Sequence, residues 1–265
     1  MVAKGAGLVE GRCRCYNLRV DNDDETREYD LFEGALRLRQ PARGSRTSLD
    51  AVLLADFVPS GSGVLAELGL GHGAALLAAL HLGKADGGWG VELQGEAVEL
   101  ARANAAANGL ALEAVHGDLC DLDALPVGVF RRVISNPPFR AVGDGRRSPD
   151  AVRDAARCET TAGLTDFVAA AARMLISGGS LSLIFTARRL AELIPILVQY
   201  RLQPKRLRLV HPRQGAPARL ALIEARLDGG IELLIEPPLY THAGNEYSLE
   251  TVAILAGRHA ADGGA

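Results

Sequence analysis

The sequence predicts an α/β fold: a mostly parallel sheet with helices on both faces and an antiparallel hairpin near its C-terminal side. Three observations predict it. From Val64 onward, short apolar runs alternate with alanine- and leucine-rich runs of helical length, the pattern of successive strand–helix–strand units. The last two long apolar runs, 205–210 and 218–227, lie too close for a helical crossover and must pair as a hairpin. Hydrophobic residues make up 48% of the 265, enough to fill a core on either side of a sheet.

The elements follow in order. Residues 1–30 carry many charges and glycines without a sustained period, and are expected to form a flexible N-terminal segment. One domain with a short N-terminal extension is expected over 31–256, and a frayed tail over 257–265. The run Ala35-Leu36-Arg37-Leu38-Arg39 alternates apolar with basic residues, as an edge strand does, and Pro41 and Gly44 end it. A helix over 51–57 is capped by Ser48 and stops before Pro59. Strands over 64–68, 88–93, 111–116, 130–135 and 180–186 alternate with helices over 73–82, 95–108, 161–175 and 188–200. Asn108-Gly109 closes the second of these helices and Gly178-Gly179 the third. The hairpin turns at Gly215-Ala216-Pro217 and brings the count to seven strands; 231–235 adds a short one.

Composition excludes several classes. No apolar stretch is long enough to span a bilayer, and the first eleven residues lack the layout of a signal peptide, so a cytoplasmic protein with no membrane partner is expected. Cys13, Cys15, Cys120 and Cys158 do not have zinc-site spacing and read as reduced thiols, so no metal is expected. The net charge of −3 is unevenly spread: 21–33 is acidic and 188–213 is basic. A local basic face can still bind a polyanion.

The first strand runs into Glu67-Leu68-Gly69-Leu70-Gly71-His72-Gly73. Glycines there let backbone amides approach a ligand at the start of a helix. The spacing is G-x-G-x-G with an acidic residue before it, which departs from the dinucleotide pattern G-x-G-x-x-G. It suits a ligand made of an amino acid and a nucleoside. The second strand ends at Glu92, placed to accept both hydroxyls of a ribose, and the third ends near Asp118, placed to accept an adenine amine. Glu67, Gly69, Gly71, Gly73, Glu92 and Asp118 therefore form a candidate site for S-adenosylmethionine.

The fourth strand ends in Asn136-Pro137-Pro138-Phe139. An amine conjugated to a ring is a poor nucleophile until both its N–H bonds meet acceptors. The Asn136 side-chain oxygen and the Pro137 carbonyl can be those acceptors, and the two prolines hold them extended. Phe139 offers a face on which a base can stack. These four are the candidate catalytic residues, with Asn136 also facing the cofactor.

The glycine loop, Glu92, Asp118 and the N-P-P-F run together resemble the N6-adenine and related amine methyltransferases. The flanks narrow the likeness. Gly34–Pro41 with Asp50–Ala55, Ala156–Glu159, Lys205-Arg206 leading to Val210-His211-Pro212, Ala221–Ala225 and Glu236–Tyr240 resemble the bacterial tRNA1(Val) adenine-N6 methyltransferase family over about residues 31–250. The resemblance implies a Rossmann-like class I methyltransferase fold, S-adenosylmethionine as donor with S-adenosylhomocysteine as product, and a tRNA partner methylated on the adenine 3′ of the anticodon. It further implies Asp50 near the methionine end of the cofactor. Phosphates would meet Arg140, Arg146 and Arg147 after the N-P-P-F run, and Lys205, Arg206, Arg208 and Arg213 near the hairpin. Glutamine methylation of a protein and ribosomal RNA methylation are the alternatives with the same chemistry. An RNA-binding module without turnover is the alternative of another class.

Overall fold

The computed structural model describes residues 18–19, 26–41, 49–137 and 162–258. The central sheet contains the seven expected strands, β4 (Val64–Leu68), β5 (Gly87–Glu92), β6 (Leu112–His116), β7 (Phe130–Ser135), β8 (Leu175–Thr186), β9 (Leu202–His211) and β10 (Leu220–Leu227). They lie in the order β6-β5-β4-β7-β8-β10-β9. β4 through β8 are parallel, and β10 runs against both its neighbours. The antiparallel strand is thus inserted beside the outermost of the seven. Two short strands, β11 (Leu234–Ile235) and β12 (Leu239–Tyr240), pair with the outer side of β9 and make nine.

Period-two alternation sorts side chains to the two faces. Leu65 and Ile134 enter one core with α1 (Leu49–Phe57), α2 (Ala74–His81), α3 (Gly95–Ala107) and α6 (Leu249–Leu255). Ala66, Leu68 and Val133 enter the other with α4 (Leu164–Met174) and α5 (Leu190–Gln199). The arrangement is the expected α/β fold with a sheet between two helix layers.

Several boundaries differ from the expectation, each for a local reason. Within the stretch expected to be flexible, β1 (Leu18–Arg19) and β2 (Thr26–Leu31) are strands; β2 pairs with β3 (Leu36–Pro41) in a separate three-stranded sheet. Charged residues obscure the period because one face of that sheet is solvated, while Tyr29, Leu31, Leu36 and Leu38 are buried on the other. Gly178-Gly179 does not stop a helix. α4 ends at Met174 because Leu175 is already extended, and the glycines sit in an irregularity of β8 opposite Phe130 and Arg132. The short strand expected over 231–235 shrinks to β11. The hairpin of β13 (His242–Ala243) and β14 (Glu246–Tyr247), and helix α6, had no periodic signal long enough to read. Ser48, the expected cap of α1, lies outside the described residues.

Arg132 ties the lower end of the sheet together. It is 8% exposed, and its guanidinium donates to the carbonyls of Pro59, Lys84, Gly61 and Ser62. Those carbonyls belong to the turns entering β4 and leaving α2, which have no strand partner of their own there. Arg132→Met keeps the apolar stem and removes all the donors. It should cost about 2–4 kcal/mol and lower the melting temperature by roughly 5–10 °C, read by thermal unfolding. An unchanged Tm would show that water replaces the guanidinium without loss.

Candidate active site

Strand register brings the predicted residues into one row. Leu68 pairs with Val91 on one side and Ser135 on the other, and Glu92 pairs with His116. Asn136, Gly69, Glu92 and His116 therefore follow one another across the carboxyl ends of β7, β4, β5 and β6, spanning about 14 Å at roughly 4.8 Å per strand, with Asp118 two residues beyond His116. This is the crevice where parallel sheets of this kind bind ligands.

The turn from β4 to α2 needs its glycines. Gly69, Gly71 and Gly73 have φ of +71°, +55° and +87°, where side chains are strained. A Cβ on Gly69 would stand 3.1 Å from the Phe167 ring, whereas one on Gly71 would meet nothing within 4 Å. Three polar groups hold this turn. Glu92 accepts from the Gly71 amide at 2.8 Å and from the Gln94 amide at 3.0 Å, one bond to each carboxylate oxygen, which leaves acceptor capacity for ribose hydroxyls. Glu67 is 2% exposed and accepts from the Leu76 amide, 3.1 Å away, in the first turn of α2. The Asn104 amide donates to the His72 carbonyl at 2.9 Å. Gly73 has no side chain to cap α2, so Glu67 supplies the acceptor from the preceding strand.

Asp118 follows β6, half-buried, and accepts from the Cys120 amide at 2.8 Å. Asp50 lies in the first turn of α1, at the end away from the Arg132 staple. Asn136 is half-buried and Pro137 buried at the end of β7. Just beneath them the buried Ser135 hydroxyl donates to the Leu68 carbonyl at 2.8 Å and fixes β7 to β4 where both strands end. Pro138, Phe139, Arg140, Arg146 and Arg147 lie outside the described residues. Lys205, Arg206 and Arg208 are on β9. Arg206 is shared between Glu224 and Glu236, with its guanidinium over the Phe57 ring; Arg208 pairs with Glu250; Lys205 donates to the Gly230 carbonyl. Arg213 stands apart from them, exposed in the β9–β10 turn.

Sequence reasoning missed Tyr29, His72, Asn104 and Asn108. The Tyr29 hydroxyl meets His72 Nε2 at 3.0 Å, and burial pushes the His72 ring down to about 4, so it is neutral at physiological pH. Asn104 and Asn108 each exchange two hydrogen bonds with the backbone of β3, at Arg39 and Arg37 respectively. The available signal was two asparagines four apart on a helix otherwise rich in alanine. Among the described residues no group of three or more His, Cys, Asp or Glu could hold a metal ion, and no helix is long and apolar enough to cross a membrane.

A model of the methyltransferase small domain matches residues 45–196, which include the glycine turn, Glu92, Asp118 and the N-P-P-F run. The chain belongs to the methyltransferase small domain family. No curated protein matches it significantly. Among solved structures, it is similar to an Agrobacterium tumefaciens protein described as a predicted O-methyltransferase, at 27% identity and a TM-score of 0.64, over 80% of this chain and 97% of the other. TYW2 from M. jannaschii, solved in complex with AdoMet, shares the fold at 12% identity and a TM-score of 0.53, over 78% and 87%. Geranyl diphosphate C-methyltransferase from Streptomyces coelicolor, solved with S-adenosyl-L-homocysteine, does so at 14% and 0.50, over 67% and 79%. Family and fold together make this methyltransferase one that uses S-adenosylmethionine.

Glu67 yields a test of the buried turn. Burial pushes its carboxyl well above the usual 4.5, opposed by the Leu76 amide and reinforced by the neighbouring Glu92 carboxylate. Below pH 4.5 the group is protonated whether the chain is folded or not; stability is lost as pH rises from there through the folded-state value. Glu67→Gln keeps an acceptor for Leu76 and cannot ionise. The variant should be the more stable at neutral pH, by a margin that shrinks on acidification and levels off below about 4.5. Parallel stability curves for the two proteins in urea titrations would refute the upward shift of the buried carboxyl.

Proposed function

We propose that this methyltransferase modifies the N6 amine of an adenine in the anticodon loop of a tRNA, the adenine 3′ of the anticodon. The observation that carries the reading is the position of Asn136: one residue past the end of β7, beside the glycine turn, and followed by Pro137. There its side-chain oxygen and the Pro137 carbonyl form an acceptor pair for the two N–H bonds of an exocyclic amine. Ser135 holds the pair against β4, so the acceptors are set before substrate arrives. S-adenosylmethionine, when bound, supplies a methyl group already activated by its sulfonium charge. The chain's own residues then have to bind, orient and accept hydrogen bonds; no strong general base is needed.

In this reading Glu92 holds the ribose, Asp118 the adenine amine, Asp50 the methionine end, and Gly69, Gly71 and Gly73 the close backbone approach, with Glu67 supporting them from beneath. Pro138 and Phe139, which lie outside the described residues, are candidates for the contact with the target base. Arg140, Arg146, Arg147, Lys205 and Arg213 are candidates for phosphates. Arg206 and Arg208 are already neutralised by carboxylates and have little charge to offer. Support for the substrate comes from the resemblance of the flanking segments to the tRNA1(Val) enzymes and from the acceptor geometry of an amine site.

Two measurements test it. Incubation with total tRNA and cofactor, followed by mass analysis of nucleosides, should yield N6-methyladenosine; Asn136→Ala should lower turnover about 10²-fold or more with cofactor affinity nearly unchanged. Methylation of a protein amide with none on RNA would remove the substrate assignment. Separately, S-adenosylhomocysteine at about 100 times its Kd should stabilise the protein by about 2.7 kcal/mol, a Tm rise of roughly 5–10 °C. Glu92→Ala should abolish most of that rise, because the Gly71 amide loses its acceptor along with the ribose. A full rise in the variant would exclude Glu92 from the cofactor site.

A further inference from the structure

A second polar surface lies on the same end of the sheet as Asn136. β8 runs on to Thr186, past Leu183, which pairs with Ser135. Just beyond, the Ala187 amide donates to the Arg219 carbonyl at 2.9 Å, and the Arg219 amide to the Val210 carbonyl at 2.9 Å. The Thr241 amide donates to the His211 carbonyl at 2.9 Å, and the His242 amide to the Pro212 carbonyl at 3.0 Å. These backbone bonds gather Arg188, Arg219 and Arg213 onto the rim of three adjacent strands, β8, β10 and β9. All three arginines are exposed, and none has a carboxylate partner among the described residues. Their neighbours in sequence do: Arg189, Arg201, Arg206 and Arg208 are each in an ion pair.

On the Arg213 side of this rim stand two pairs of half-buried rings. His211 and Tyr240 have centroids 5.5 Å apart, and His242 and Tyr247 4.7 Å apart. Hydrogen bonds hold them in place: His211 Nδ1 is 2.7 Å from the Ala216 carbonyl, and Thr241 Oγ1 is 2.8 Å from His242 Nδ1. Cations free of carboxylates next to fixed aromatic rings are what a single-stranded nucleic acid needs, phosphates on the first and bases on the second. The net charge of −3 makes such a local arrangement the route to a polyanion.

We propose that this rim, formed by the 212–219 turn and the 240–247 hairpin, binds the single-stranded RNA that flanks the target base. The proposal rests on the reading of the substrate as RNA. From β7 to β9 is three strand spacings, about 14 Å at roughly 4.8 Å each. That equals about four stacked nucleotides at roughly 3.4 Å each, a distance within one loop. A duplex would keep its bases from the rings, so the rim selects an unpaired segment.

The test uses the full chain and a fluorescent RNA stem-loop with one adenine in the loop, titrated at several KCl concentrations. The triple variant Arg188→Ser, Arg213→Ser, Arg219→Ser should weaken binding roughly tenfold or more. It should also flatten the slope of log Kd against log salt by about 2, at ~0.7 for each phosphate no longer neutralised. Its S-adenosylhomocysteine affinity should stay at the parent value, which also shows that it folds. Arg131→Ser with Arg226→Ser, two exposed arginines at the opposite end of the sheet, should change neither quantity. Equal loss in this control, or parent-like binding by the triple variant, overturns the rim. If the parent binds the stem-loop through these arginines yet methylates no adenine in it, the rim stands and the adenine reading falls. If it methylates the adenine and the triple variant keeps the parent KM, the reading stands and the rim falls. A parent that binds no RNA sinks both.

Discussion

The chain can leave β4 and enter α2 only through a turn in which three alternate residues take positive φ, and nearly everything around the crevice serves that turn. Glycine at those positions removes the steric cost but leaves the backbone free to wander. Rigidity must therefore come from neighbours. Glu92 fixes the middle of the turn from β5, Glu67 fixes its exit from inside the core, and Asn104 fixes the His72 carbonyl from α3. Phe167 closes the far side against Gly69. Each contact comes from a different element, so the turn adopts one shape only when sheet, helices and N-terminal hairpin are all in place.

That dependence explains an uncommon choice, a carboxyl in the core. Glu67 faces a helix terminus whose cap is a glycine, so an acceptor at that depth satisfies an amide that would otherwise be orphaned. Burial raises the pKa of its carboxyl, and among the described residues no cation pairs with it. A buried glutamate of this kind needs no lysine or arginine beside it, which keeps competing positive charge away from the crevice floor.

The parallel strands were legible because their short apolar stretches alternate with runs of helical length; β7 was read to the residue. The glycine turn and the row of Glu92, Asp118 and Asn136 were legible for the same reason, since each follows directly from a strand end. What stayed hidden depends on contacts distant in sequence. β2 alternates weakly because its solvated face carries Glu28 and Asp30; its partner β3 was read from its alternation, and only the cover of its outer edge by Asn104 and Asn108 stayed hidden. The charge on β9 read as a basic face, because nothing in Lys205–Arg208 reveals that Glu224, Glu236 and Glu250 come back to meet it. The glycines at 178 and 179 carried the chemistry of a stop signal, yet the bond pattern of β7 makes them an irregularity inside a strand.

Asn104 on α3 and Asn108 at its C-terminal cap act as a gauge of length. Four residues along a helix advance about 6.0 Å. Two residues along a strand advance about 6.7 Å. The near-match lets side-chain amides one helical turn apart imitate the edge of a neighbouring strand and engage alternate peptides of β3, at Arg37 and Arg39. Such commensurability is unforgiving of insertions. One extra residue between Asn104 and Asn108 would swing the second amide by about 100° around the helix and away from the strand. The spacing of α3 and the register of β3 are therefore coupled through these two side chains.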